Sequence, residues 1–240
     1  GRMEEPARIE TAVEALLLAN RPDGELPLKG LAVLVTAGPT QEPLDPVRFL
    51  TNHSTGKMGY ALARAAAMRG AEVTLIHGQT ALPPVKFTTD VPVTTARQMY
   101  EAVTDRFDTT DVLIMAAAVA DYRPTTVADD KIKKKEGDLS IPVERTADIL
   151  GTIGPRKTRQ FLCGFSMETR DMVENSAAKL KKKNLDMVVA NNLKVSGAGF
   201  GVDTNVVTFI TPDGTRELPL MSKADVADAI LDEILQRRAK

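Results

Sequence analysis

From residue 31 onward the chain is written in short, apolar, β-branched runs that lack polar alternation: LAVLVTA (31–37), EVTLIH (72–77), DVLIMAAAV (111–119), QFLCGF (160–165) and LDMVVA (185–190). Strands that are apolar on both faces belong in a sheet covered on both faces. Between them apolar residues recur at helical spacing, which predicts helices over about 58–69, 95–107 and 168–183 and a short one at DILGTI (148–153). Helices alternating with such strands define a doubly wound α/β domain on a mostly parallel sheet. VVTFIT and TRELPL alternate in polarity around a Pro-Asp-Gly turn, so residues 206–220 read as an antiparallel β-hairpin extension. The segment SKADVADAILDEILQRR (222–238) is an amphipathic closing helix with Ser222 as N-cap.

At 240 residues the chain is one large domain or two small ones, since domains average ~150 residues. Ile9, Val13, Leu16 and Leu17 give residues 1–20 a helical pattern, and the NRPDGELP that follows has the composition of a linker. Residues 1–28 are therefore expected to be a tail and 29–240 the folded domain, and Gly1 in place of an initiator Met hints at excision from a longer polypeptide. Lys+Arg 31 against Asp+Glu 32 leaves a net charge of -1, without the basic surplus of a nucleic-acid or membrane-surface protein. Any anion binding must be local. The single cysteine, Cys163, excludes an intrachain disulfide and a multi-cysteine zinc site. No apolar run approaches the ~18 residues of a membrane span, so a reducing cytoplasm is the expected compartment.

Ligands of such sheets bind beyond the carboxyl ends of the strands, which directs attention to the segments after 37, 78, 119, 165 and 190. The first, GPTQEPLDPVRFLTNHSTGKMG (38–59), is far longer than the ~2–6 residues of an ordinary strand-to-helix loop. It brings Asn52, Ser54, Thr55 and Gly56 to a helix N-terminus, where exposed amides attract phosphate. It is not a P-loop, which would need Gly at Thr51 and Ser or Thr at Met58, nor a GxGxxG dinucleotide loop. In AAAVADYRP (116–124) the small residues let a flat ring or phosphate approach the backbone, or else serve tight helix–sheet packing; Asp121 can accept hydrogen bonds from a base or sugar. Lys131, Lys133, Lys134 and Lys135 either close over a triphosphate or form a solvated charge run. Lys179 and Lys183 share a helix face, and their cluster also suits the helix C-terminus. Asp45 and Arg48 either orient an acidic substrate or staple their own loop. His53 and His77 lack metal-ligand spacing, Cys163 sits in an apolar strand, and no GxSxG elbow is present, so the chemistry points to positioned donors around phosphates.

TAGPTQEPLDPVRFLTNHSTGKMG, AAAVADYRP, KIKK, GFSMET and KKKNLDMVVANN together resemble the phosphopantothenate–cysteine ligase family, the synthetase domain of the bacterial bifunctional coenzyme A biosynthesis protein. The resemblance runs from about residue 29 to the C-terminus. It implies a Rossmann-like fold, a homodimer, and a reaction using CTP with Mg2+. The carboxylate of 4'-phosphopantothenate would form an acyl-cytidylate with loss of pyrophosphate, and the amine of L-cysteine would then displace CMP. By position it implies that Asn52 handles the acyl-cytidylate and that Arg48, Ser54 and Gly56 belong to the substrate loop. Lys131 would cover the triphosphate. Met115, Ala116, Ala117, Asp121, Ala147, Asp148, Ile149, Leu150, Phe165, Lys179 and Lys183 would contact the nucleotide. Two departures stand out: Thr146-Ala147-Asp148 where the family has Asn-Pro-Asp, and GFSMET for GFAAET. The resemblance further implies a preceding FMN-dependent decarboxylase domain in the natural protein. The hairpin at 205–220 is one candidate dimer interface. A nicotinamide-dependent reductase, disfavoured by the missing GxGxxG, and a non-catalytic nucleotide-binding module are the alternatives.

Overall fold

The computed structural model describes residues 26–239 apart from 135, 136, 169–171, 193–198 and 200, together with positions 6, 9, 13, 14, 16, 17 and 20. The helical pattern expected over 1–20, Lys135 and the first residues of the helix expected over 168–183 thus lie largely outside the described residues. Each apolar run forms a strand of one sheet: β1 (Ala32–Ala37), β2 (Glu72–His77), β4 (Val112–Met115), β5 (Phe161–Glu168) and β6 (Met187–Asn192), with β3 (Thr88–Pro92) between the second and third. The hairpin is β7 (Val207–Thr211) and β8 (Gly214–Glu217). The spatial order is β8-β7-β6-β5-β4-β1-β2-β3, with β1 to β6 mutually parallel, β7 antiparallel to β6 and β8 antiparallel to β7. The order reverses between β1 and β4, which opens a crevice at their carboxyl ends.

The helices are α1 (Lys57–Met68), α2 (Ala96–Thr104), α3 (Ile149–Ile153), α4 (Met172–Lys182) and α5 (Lys223–Arg238). Strand alternation sends Val33, Val35 and Ala37 of β1 into the layer shared with α1 and α5, and Leu34 into the layer shared with α2 and α3. Both faces of the sheet are covered, as the unbroken apolar runs require. Gly59 of α1 permits the closest approach: a Cβ there would lie 2.5 Å from the Ala37 Cβ and 2.8 Å from the Thr36 carbonyl oxygen. The Ser222 hydroxyl accepts from the Asp225 amide at 3.1 Å, the expected cap of α5.

Several elements differ from expectation. β3, unforeseen, is a mostly polar edge strand ending in Pro92, so neither apolarity nor alternation marks it. The run expected to continue to 119 leaves the ladder after Met115. There the Ala118 amide donates to Gly38 O (2.9 Å), Ala117 N to Thr36 Oγ1 (3.1 Å) and Ala120 N to Thr40 Oγ1 (3.0 Å). The loop after β4 is thus zipped to the loop after β1. Three two-stranded ribbons also escape the apolar pattern: 41–43 with 49–51, 122–124 with 143–145, and 204–205 with 221–222. Leu28 is fully buried and its amide donates to Arg69 O at 3.0 Å, so the folded body begins at or before it. Among the described residues no helix is long and apolar enough to cross a membrane.

Candidate functional site

The crevice at the switch point holds two adjoining clefts that share Ala117, Asp121 and Phe165. The first, of about 510 Å³, lies on the α3 and α4 side. Met115, the last residue of β4, and Phe165 of β5 line it together with Ile149 and Leu150 of α3. Asp148 caps α3 by accepting from the Gly151 amide at 2.9 Å and also pairs with Lys183. Burial lowers the Lys183 ammonium from its ordinary lysine value, and the Asp121 carboxylate opposes that shift. Lys179, one turn earlier on α4, donates to Phe165 O at 2.7 Å. All the expected nucleotide contacts except Ala116 and Lys131 line this cleft, namely Met115, Ala117, Asp121, Ala147, Asp148, Ile149, Leu150, Phe165, Lys179 and Lys183.

The second cleft, of about 360 Å³, is walled by the start of α1 and carries Asn52, Ser54, Gly56 and Ala116. Gly56 caps α1 at φ 81°, without a side-chain hydrogen bond to the helix, and its own amide donates to Ser54 Oγ at 3.3 Å. A side chain on Gly56 would be strained at that φ and would bring a Cβ to 2.8 Å from the Thr80 methyl. Asn52 is held across the zipped loops, its amide donating to Ala118 O at 3.1 Å.

Arg48 and Lys131 line neither cleft. Asp45, only 3% exposed, accepts from Val47 N (2.9 Å), Arg48 N (2.8 Å) and the Arg48 guanidinium (2.5 Å), and also from Ile132 N at 3.1 Å. Arg48 returns a hydrogen bond to Ile132 O at 2.9 Å. The pair staples its loop and also grips the lysine segment one residue past Lys131, which is itself exposed. The Arg48 guanidinium holds the Asp45 carboxyl well below the usual carboxylate range. At the GFSMET departure the Ser166 hydroxyl lies 2.6 Å from that of buried Ser176 on α4, so its polar atom is satisfied within the wall.

Sequence reasoning passed over several lining residues. Lys57 reaches Gly201 O (3.0 Å) and Asp203 Oδ1 (2.7 Å), while Lys223, 6% exposed, donates to Gly199 O (3.0 Å) and Val202 O. Burial lowers the Lys223 ammonium and Lys57 adds to the effect, whereas Lys57 lowers the Asp203 carboxyl. Each lysine is the first residue of its helix, where a positive charge opposes the macrodipole. That local cost was the available signal. Asn191 and Asn205, hydrogen-bonded at 3.1 Å, complete this end; in the first cleft Tyr122 and Arg145 were missed, and Thr146 was noted only as a departure from the family pattern. Among the described residues no group of three or more His, Cys, Asp or Glu is placed to hold a metal ion.

A covered, doubly wound sheet with paired clefts at its switch point is the architecture in which α/β domains bind ligands across the reversal of strand order. The chain belongs to the family described as the DNA/pantothenate metabolism flavoprotein C-terminal domain, which it matches over residues 28–237. It is 49% identical over 236 residues to the coenzyme A biosynthesis bifunctional protein CoaBC of Bacillus subtilis (strain 168), covering 98% of this chain and 57% of that protein. It is 45% identical over 238 residues to a cysteine/cysteine sulfinic acid decarboxylase of an unknown prokaryotic organism, covering 98% of this chain and 66% of that protein. The crystal structure of the C-terminal domain of a CoaBC matches with a TM-score of 0.76 at 45% identity, over 88% of this chain and 97% of that domain. The chain therefore spans 57% and 66% of the two relatives' lengths.

Proposed function

We propose that this chain is the ligase domain that joins 4'-phosphopantothenate to L-cysteine at the expense of CTP, within coenzyme A biosynthesis. The observation that carries the reading is the pair of clefts sharing Ala117, Asp121 and Phe165, with the residues matched to nucleotide contacts on one side and Asn52, Ser54 and Gly56 on the other. Cytidine lies in the first cleft with its α-phosphate at the shared residues, and the acid reaches that phosphorus from the second. Its carboxylate oxygen forms a bond to the α-phosphorus as the bond to pyrophosphate breaks. The cysteine amine then attacks the acyl carbon, CMP leaves with the C–O electron pair, and the amine loses a proton to solvent. Alignment supplies most of the acceleration in such a transfer. Asn52, anchored on Ala118 O, is positioned to hold the acyl-cytidylate, and Lys131 is brought over the triphosphate by its segment.

Mg2+ in this reading travels on the triphosphate, because Asp148 is paired to Lys183 and, among the described residues, no group of three or more His, Cys, Asp or Glu is placed to hold it. When bound, the ion neutralises phosphate charge. An FMN-dependent decarboxylase would occupy the part of the relatives that this chain does not cover, and the cytoplasm would be its compartment. A homodimer fits the exposed apolar side chains Val47 (58%) and Phe49 (47%) on the 41–51 ribbon and Val127 (52%) beside it. The edge strand β8, which ends in Arg216 and Glu217, is the weaker interface because charged edges resist pairing.

Pyrophosphate release by this chain with Mg2+, 4'-phosphopantothenate and CTP or ATP, each with and without cysteine, tests the proposal. Release with CTP before cysteine is added supports activation ahead of amide formation. Release with neither nucleotide overturns the reading. Lys131→Gln is expected to lower the pyrophosphate rate at least tenfold while CTP still binds; near-normal turnover would remove the lysine from the mechanism.

A further inference from the structure

The segment that follows β2 is used by no part of the reading above. It carries Gly78 and Thr80, and Thr80 lines neither cleft. Its methyl nonetheless meets both of the loops behind the second cleft. Gly38 and Gly56 hold φ of 72° and 81°, and a Cβ on either would lie 2.8 Å from that methyl. A Cβ on Gly56 would also lie 3.4 Å from Gly38 N, so the two glycines are neighbours and the Thr80 methyl fills the notch left by their absent side chains. Gly78 lets the segment come this close, since a Cβ there would lie 1.8 Å from Pro39 O.

Each of the two glycines is tied to a residue of the second cleft. Gly38 O accepts from Ala118 N at 2.9 Å, and Ala118 O holds the Asn52 amide at 3.1 Å. Gly56 N donates to Ser54 Oγ at 3.3 Å, and Gly56 O accepts from Tyr60 N at 3.1 Å in the first turn of α1. The Thr80 side chain is itself tethered, its hydroxyl donating to Tyr60 Oη at 3.0 Å. Tyr60 is buried, and His77 packs edge-on against its ring with centroids 5.7 Å apart. The His77 ring nitrogens lie 2.8 Å from Gly78 O and 3.1 Å from the Asp90 carboxylate of β3. We infer that Thr80 is a positioning residue for the second cleft: its methyl sets the separation between the zipped loops that anchor Asn52 and the Ser54–Gly56 turn that opens α1, while its hydroxyl only aims the methyl. The kinetic consequence rests on the ligase reading, in which the acid enters by this cleft and cytidine by the other.

Two conservative variants separate the methyl from the hydroxyl. Thr80→Val keeps the branched shape but leaves Tyr60 Oη without its donor, whereas Thr80→Ser keeps the donor and lacks the methyl. Both are compared with the wild type by pyrophosphate release with 4'-phosphopantothenate or CTP varied, by urea unfolding, and by hydrogen exchange at the Ala118 amide. Valine is expected to lower the urea midpoint yet leave both KM values within about twofold of wild type. Serine is expected to raise the KM for the acid about tenfold while the KM for CTP stays, because a small displacement behind a site is felt in the alignment of what it binds. Exchange at Ala118 should quicken in the serine variant and not in the valine one. A KM for the acid that rises equally in both variants would assign the effect to the hydroxyl and overturn the inference. An unchanged KM for the acid in the serine variant, or an equal rise for acid and CTP, would make Thr80 merely structural and overturn it too. If the wild type releases no pyrophosphate with CTP or ATP, the ligase reading fails and the exchange data still decide: faster exchange in serine than in valine keeps the wedge, and equal exchange removes it.

Discussion

Single residues set the tolerances of this site. Gly59 lets α1 lie against the end of β1, and the 2.5 Å from its absent Cβ to the Ala37 Cβ leaves no room for a methyl group. Gly59→Ala is expected to cost about 1–3 kcal/mol, read as a lower urea midpoint, with activity falling as α1 shifts from the second cleft. Gly201→Ala, where none of the described residues lies within 4 Å of the added atom, serves as the matched control. Equal midpoints for the two would contradict the close approach. Serine at 166 looks like a change inside the binding wall when read in sequence alone. The hydroxyl of Ser176, ten residues away and one layer over, is what satisfies it.

Elements show where sequence legibility ends. The parallel strands and their helices were readable because burial on two faces imposes unbroken apolar runs and 3.6-residue spacing. β3 and the small ribbons were not, because β3 is a mostly polar edge strand and the ribbon strands, two or three residues long, are too short to show a period. The same cause hid Arg145, which becomes a lining residue only through pairing with Tyr122. The residues expected to contact a nucleotide came from family resemblance, and all of them but Lys131 line one of the two clefts. The Asp45 staple was half legible: the Arg48 pair is local, but the bond from Ile132 N crosses 87 positions. Because the folded Asp45 carboxyl titrates below its unfolded value, the staple's contribution is full above about pH 4 and fades as pH falls through the lower, folded value. Hydrogen exchange at the Ile132 amide should therefore show constant structural protection from about pH 5 to pH 8 after correction for intrinsic rates. Asp45→Asn should lower that protection severalfold and slow pyrophosphate release with it. Unaltered protection in the variant would show that the lysine segment is held by something else.

At the level of the whole molecule, the proposed homodimer has two candidate surfaces. The β8 edge offers backbone groups but ends in charged residues, while the 41–51 ribbon offers Val47 and Phe49. Sedimentation of the Val47→Asp, Phe49→Asp double variant at micromolar concentration is expected to give a monomer where the wild type gives a dimer. A variant dimer unchanged in mass would return the interface to the hairpin. The same ribbon contains the Asp45–Arg48 staple, so its apolar face and its grip on the lysine segment are parts of one small unit.

The lone thiol lies at the centre of the sheet. Cys163 is fully buried on β5, and burial pushes its thiol well above the ordinary cysteine value, with Asp186 adding to the shift. A protein proposed to consume free cysteine meets that amino acid and its oxidised form, cystine, throughout its working life. Mixed disulfides need an accessible thiolate, and this chain presents none. Oxidation of free cysteine to cystine would therefore drain the proposed substrate without forming a mixed disulfide on this chain.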